Sequence, residues 1–268
     1  MAFARQFVER ELRRWEREGQ QVVLWWRDDD ARTRTPELEL LLVLAEMHQV
    51  PVTLAVVPTG VAEGLAPLLR GSALATVIQH GVDHQDRGGM GPSMEFPEAW
   101  PMERLVERLA GSWQTLSALP GAFKAFAPPW NAVHPELASA LAYHGYQGLS
   151  AAGQFAACAH PPRLDIHVDV LRWRDGARFR GPDSVYEIFG RELTLRRRLG
   201  LWDQPIGVLT HHQDHDEAAW RFLGRFLAMT ANHPAVAWEA FPALLQRSAG
   251  RGSRLARLAA QTRRLALA

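Results

Sequence analysis

Short apolar, β-branched runs alternate with helix-patterned segments along this chain, and that rhythm limits the fold more than any other feature. Gln21 to Trp26 reads as a strand running into Arg27-Asp28-Asp29-Asp30, and Thr35-Pro36 supplies an N-cap and a first-turn proline for a helix reaching Met47. Val52 to Val57 is the next strand, Val61 to Leu69 is helical, and Ala75 to Gln79 is a strand ending at His80. Pro101 to Leu119 reads as helix, Ala125 to Ala127 as a strand before Pro128-Pro129, and Pro135 to His144 as a helix closed by Gly145. Strands are expected again at Tyr146 to Leu149, Leu164 to Leu171, Ile206 to Thr210 and Val236 to Trp238. Seven or eight strands alternating with helices, with no Gly-rich phosphate loop after the first, predict a (β/α) barrel over a doubly wound nucleotide-binding sheet.

Ahead of the barrel, Phe7, Val8, Leu12 and Trp15 share one helical face and Gly19 can end the helix. The expected organisation is a leading helix over 1–20, a barrel over 21–250 and a basic C-terminal helix over 251–268. Gln85 to Trp100 and Arg172 to Leu201 are long for connections and are expected to be loops that shape a substrate cleft.

Charge and cysteine content narrow the chemistry. Thirty Lys and Arg against 29 Asp and Glu leave a net charge of +1, so no global basic field points to nucleic acid or an anionic membrane. The single cysteine, Cys158, excludes an internal disulfide and a Cys-rich metal site, so any metal must sit on His and carboxylates. Met1 to Gly19 is too charged for a signal peptide and no run approaches the roughly 20 apolar residues of a membrane span, which gives a cytoplasmic expectation.

Chemistry-bearing residues gather at the strand ends. Asp28, Asp29 and Asp30 lie where a buried strand would emerge at the barrel rim, although an acidic turn in solvent would look the same. His80 and His84 stand four residues apart after a strand; a pair of neutral imidazoles plus one carboxylate leaves open positions on a divalent ion. Pro128-Pro129-Trp130-Asn131 is a rigid turn able to aim a backbone N–H at an oxyanion. Asp165, His167 and Asp169 fall on one strand face, and of His211 and His212 only one can face inward.

Taken in order, these segments resemble the motifs of the polysaccharide deacetylases, carbohydrate esterase family four with its NodB homology domain, from about Val22 to Leu245. Trp26 to Ala31 looks like the motif Thr-Phe-Asp-Asp-Gly-Pro, and His80-Gly81-Val82-Asp83-His84 is similar to His-Ser/Thr-x-x-His. Phe126 to Asn131 resembles Phe-Arg-Pro-Pro-Tyr-Gly, Asp169 with Trp173 the Asp and Trp region of the fourth motif, and Leu209-Thr210-His211 the terminal Leu-x-His. Asp30 stands in place of the motif glycine, leaving the acidic pair open to a shift of one residue. Ala127 stands in place of the motif arginine, for which Arg27 and Arg172 are the available substitutes.

The resemblance implies a distorted, NodB-like (β/α) barrel hydrolase that removes an N-acetyl group from an amino sugar; the near-zero net charge and the lack of a long apolar run carry the expectation of no nucleic-acid or membrane partner. It implies Asp29, His80 and His84 as ligands of a divalent ion, zinc first and cobalt, nickel or manganese as alternatives. Asp28 would be the general base, His211 the general acid and Asp169 its orienting carboxylate. The Trp130 N–H after Pro129 would face the oxyanion, and Trp130 and Trp173 would stack on the sugar. Two alternatives remain open: hydrolysis of a non-sugar amide, and metal-dependent sugar recognition without turnover.

Overall fold

The first strand is a continuous apolar run, Val22-Val23-Leu24-Trp25-Trp26, and such a run is stable only where both faces of a sheet are covered. It becomes an interior strand of the sheet. In the computed structural model, which describes residues 2–153 and 160–247, the chain runs α1 (Ala2–Arg17), β1 (Val22–Ala31), α2 (Pro36–His48), β2 (Val52–Val56), α3 (Leu65–Arg70) and β3 (Ala75–His80). It continues with α4 (Met102–Leu109), α5 (Gln114–Ser117), β4 (Ala122–Ala127), a 3₁₀ turn (Pro129–Asn131), α6 (Leu137–Tyr143), β5 (Gly148–Leu149) and β6 (Ile166–Asp169). Then follow the two-stranded pair β7 (Leu171–Arg172) and β8 (Arg178–Phe179), α7 (Pro182–Leu199), β9 (Ile206–Thr210), a 3₁₀ turn (His212–Asp214), α8 (Glu217–Ala231) and β10 (Val236–Trp238).

The strands order as β5-β4-β3-β2-β1-β9-β6, every pairing parallel, and β10 adds to the start of β1. Parallel bridges Leu149–Arg163 and Ala152–Ile166 join the two ends, so the sheet curls into the expected distorted barrel. Its interior holds Trp25, Ala55, Ile78, Ala125, Ala127, Ile166, Leu209 and Phe241, while Leu24, Trp26, Leu54 and Val77 point the other way into the helices. This alternation carries inward-facing residues from the apolar interior to the carboxyl rim.

Two sequence expectations change. Arg172 to Leu201 is not a loop: it holds β7, β8 and α7, an 18-residue helix with Gly200 in the left-handed conformation at its end. The leading helix, expected over 1–20, packs on α7, where Trp15 Nε1 donates to the Leu193 carbonyl at 3.2 Å and Gly190 leaves room for Phe7. Pro101 to Leu119 breaks around Gly111, whose φ of 73° ends one helix before the next begins. The expected helix over 251–268 lies outside the described residues. Among the described residues no helix is long and apolar enough to cross a membrane.

Candidate metal and acid–base centre

Strict alternation along β1 would send Arg27 and Asp29 into the barrel and Asp28 and Asp30 away from it. Arg27, Asp28 and Asp29 obey it. Asp30 does not: the register between β1 and β2 slips between Asp28 and Ala31, and Asp30 takes a φ of 74°. A bulge of this kind re-aims a side chain, and a non-glycine residue there stores strain that the surrounding contacts must offset. The result is that Asp29 and Asp30, neighbours in sequence, both face the rim.

The second segment is shaped by Gly81 and Glu95. Gly81 has a φ of 60°, and a Cβ there would lie 2.0 Å from Glu95 Oε2 and 2.6 Å from Pro129 Cγ, so no larger residue fits. The buried Glu95 carboxylate accepts from the Val82 and Asp83 backbone N–H groups, and burial and Asp83 push its carboxyl above the usual range. This clamp folds His84, itself at φ 58°, back toward His80. His80 Nδ1 lies 3.0 Å from the Ala127 carbonyl, which directs Nε2 inward in the manner of a metal-ligating histidine.

Asp30 Oδ1 is 3.2 Å from His80 Nε2 and 3.0 Å from His84 Nε2, and the donor atoms of the three residues lie within 4.8 Å of one another. Asp30 Oδ1 is buried without a hydrogen bond, so a cation at the point of convergence would satisfy it together with both imidazoles. Burial would raise the Asp30 carboxyl, but His80 and His84 outweigh it and hold the group well below the carboxylate range. Burial likewise disfavours charge on His80, and Asp29 with Asp30 reverses the effect and raises it. The residues present therefore fit a divalent ion with one carboxylate and two imidazole donors.

Asp29 sits beside this triad. Its Oδ2 is 3.9 Å from His80 Nε2 on one side and 3.9 Å from His211 Nε2 on the other. Arg27, wholly buried, brings Nε to 2.8 Å from Asp29 Oδ1 and donates from Nη2 to Oδ2 at 3.0 Å. His211 follows β9 on its inward face, and Trp173 packs edge-on against its ring with centroids 4.5 Å apart. Asp169 accepts from Trp173 Nε1 at 2.9 Å and from the Leu171 N–H at 2.9 Å. Burial raises Asp169, with His211 pulling the other way. Asp169 thus acts on His211 through its field and by holding Trp173. On the opposite wall Trp130, at φ 54°, packs its ring 4.6 Å from His84. Trp130 and Trp173 are 40% and 47% exposed, and they flank the centre, with Pro129 buried.

Asp28 corrects the sequence reading. It does not face the centre but lies on the helix side of β1, where its Oδ2 accepts from Thr210 Oγ1 at 2.6 Å and the His212 N–H at 3.0 Å. Its Oδ1 is 2.5 Å from His212 Nδ1. Both side chains are fully buried, and Trp26 Nε1 donates to Thr210 Oγ1 at 2.8 Å in the same network. Asp29, expected among the metal ligands, is placed between the triad and His211, and Asp30 takes the position beside the imidazoles. Asp165 and His167 belong elsewhere: Asp165 pairs with Arg163 and accepts from the Ala151 N–H, and His167 Nδ1 accepts from the Gly207 N–H. Glu95 carries no sequence signal that would have selected it, and neither does Ser150, whose hydroxyl accepts from Arg27 Nη1 at 2.7 Å beside Asn131 Oδ1, which accepts from Nη2 at 2.6 Å.

The fold is that of the NodB-type carbohydrate esterases of family 4, a class of parallel, distorted barrels. A Mycobacterium smegmatis protein assigned to the polysaccharide deacetylases superposes with a TM-score of 0.66 at 15% identity, covering 87% of this chain and 92% of that one. A family 4 carbohydrate esterase from Streptomyces lividans, in complex with acetate, gives 0.51 at 16% identity over 82% and 92% of the two chains. A family 4 acetyl xylan esterase from Clostridium thermocellum, in complex with a cobalt ion, gives 0.53 at 12% identity over 84% and 90%. No protein-family model matches the chain, and no curated protein matches it.

Proposed function

We propose that this protein is a metal-dependent hydrolase that removes an N-acetyl group from an acetylated amino sugar, releasing acetate and a free amine. The observation that carries the reading is the placement of one carboxylate, Asp29, and one imidazole, His211, side by side against the Asp30-His80-His84 triad. Support for the acetyl substrate comes from the fold shared with the acetate-bound esterase, and support for the metal from the donor set and the cobalt-bound one.

Asp30, His80 and His84 would hold the ion, zinc being the first choice for this donor set, with cobalt, nickel or manganese as alternatives. Bound there, the ion supplies Lewis acidity toward an amide carbonyl, which is otherwise a poor electrophile. Asp29 takes the proton of the attacking water, a role assigned here one residue later than the sequence suggested. His211 gives a proton to the leaving nitrogen, and Trp173 with Asp169 keeps its ring in place. The turn at Pro129-Trp130 offers a backbone N–H to the carbonyl oxygen, and the two exposed tryptophans offer flat faces to a sugar ring.

Metal analysis followed by acetate release from N-acetylglucosamine oligomers tests the proposal. About one divalent ion per chain and metal-dependent acetate release are expected. Metal binding with hydrolysis only of non-sugar amides would move the substrate class. Metal binding with no hydrolysis of either would make this a recognition protein.

A further inference from the structure

Apart from Glu95, the connection from Gln85 to Trp100 has no part in the centre described above, yet it is tied down. Asp86 Oδ1 accepts from the Gly88 N–H at 2.8 Å and the Met94 N–H at 3.1 Å, and the Arg87 N–H donates to the Met94 carbonyl at 2.8 Å. Between this connection and α4 lies a cavity of about 500 Å³ whose wall includes Val82, Arg87, Trp100, Arg104, Glu107 and Arg108. Val82 is two residues from both His80 and His84, which keeps it within about 7 Å of the backbone of each. The cavity therefore adjoins the loop that carries both imidazoles.

Three guanidinium groups in one wall repel one another unless each is held. Each is held differently. Arg87 gives Nη1 and Nη2 to the two oxygens of Asp83 at 3.0 and 2.7 Å, and the same two atoms to the Gln85 carbonyl and side-chain oxygen, so its charge is fixed and its terminal donors are taken. Arg108 gives one Nη to Asp83, and among the described residues its other donors have no partner. Arg104 stacks on the Trp100 ring with Cζ 3.9 Å from the centroid, and among the described residues none of its donors has an oxygen partner. Arg104, Glu107 and Arg108 share one face of α4, at i, i+3 and i+4 spacing, while Leu105 and Leu109 take the buried face.

The free forks of Arg104 and Arg108 match a carboxylate, which a guanidinium can bind through two parallel N–H groups. The Glu107 carboxylate, without an ion-pair or hydrogen-bond partner among the described residues, disfavours a second negative charge but accepts from a hydroxyl. A multiply charged anion fits this wall worse than a group with one negative charge beside hydroxyls. We propose that the cavity binds the carboxylate of an acidic sugar unit, with Arg104 and Arg108 donating to it and Glu107 accepting from a ring hydroxyl. Resting on the proposed function, the inference makes the substrate an acetylated saccharide that carries uronic-acid units, one seated in the cavity while an acetylated neighbour reaches the metal centre.

The test uses the zinc-loaded protein and compares oligomers alternating N-acetylglucosamine and glucuronic acid with neutral N-acetylglucosamine oligomers of equal length. KM for acetate release should be lower for the acidic oligomer by at least about tenfold, the scale of one charge-assisted hydrogen bond, and the advantage should shrink as ionic strength rises. Arg104→Gln should remove most of that advantage while leaving zinc content and KM for the neutral oligomer unchanged, and Arg104→Lys should keep part of it. Calorimetry of the acidic oligomer reads the same contact without turnover, and free glucuronate should displace the oligomer where inorganic phosphate at equal concentration does not. Equal KM for the two oligomers in the wild type, or wild-type binding of the acidic oligomer by Arg104→Gln, overturns the inference and leaves the proposed function intact. Displacement by phosphate as readily as by glucuronate overturns the sugar assignment in favour of a simple anion site. Binding that depends on Arg104 without acetate release from either oligomer overturns the proposed function and keeps the ligand of the cavity.

Discussion

Replacing His212 and His211 one at a time separates a residue that holds the barrel from one assigned to the reaction. In His212→Ala the Asp28 carboxylate stays fully buried but loses its imidazole partner. Breaking a buried ion pair by removing one member costs about 3–5 kcal/mol. Asp28 keeps the Thr210 hydroxyl and the residue-212 backbone N–H as donors, so the lower end, about 3 kcal/mol, is expected. For a chain of this size that is a fall in Tm of roughly 6–12 °C. The loss also depends on pH. Burial would lower the His212 pKa, but Asp28 outweighs it and raises the group above its ordinary 6.5. A raised histidine contributes its stability fully below the unfolded pKa and loses it as pH rises through the folded value. The deficit of His212→Ala against the wild type should therefore be larger at pH 6 than at pH 9. Thermal unfolding at both pH values, with zinc present, measures it. A Tm within about 2 °C of wild type at pH 6, or a deficit that grows toward pH 9, would refute the buried-pair reasoning.

His211→Ala should leave Tm and zinc content near wild type while lowering acetate release by about 10² to 10⁴, as expected for loss of a general acid; normal turnover rejects the assignment. Among the three acids, Asp30→Asn should lose zinc and Asp29→Asn should keep it but lose turnover. Asp28→Asn should keep zinc and lose stability; equilibrium dialysis of the three variants decides the register. Gly81→Ala should weaken zinc binding at least tenfold, since its Cβ would meet Glu95 and Pro129 and force His80 and His84 apart, and unchanged affinity would show that the loop has room.

Much of the barrel was legible in the residues themselves. The parallel strands announce themselves because a strand covered on both faces needs a near-continuous apolar run, as at Val22 to Trp26 and, with Thr53 the one polar residue, Val52 to Val56. His80 and His84 are readable because their spacing is local; alternation allows only one of His211 and His212 to face inward, and the resemblance, not the alternation, picks out His211. The α7 helix was hidden in an Arg-rich stretch whose apolar face, Val185, Tyr186, Phe189 and Leu193, gains its meaning only from α1 packed against it.

The acidic register was decided by tertiary structure. Alternation alone puts Asp28 and Asp30 on one side of β1, and only the bulge and the left-handed backbone at Asp30 send that carboxylate back toward His80 and His84. The same holds for Arg27, whose partners Asn131 and Ser150 lie 104 and 123 residues away, and for Asp28, whose partner lies 184 away. Patterns of side-chain polarity record which face of an element is buried; they do not record backbone irregularities or which distant polar group waits on the far wall. Those are set when the barrel closes and every buried charge must find its partner.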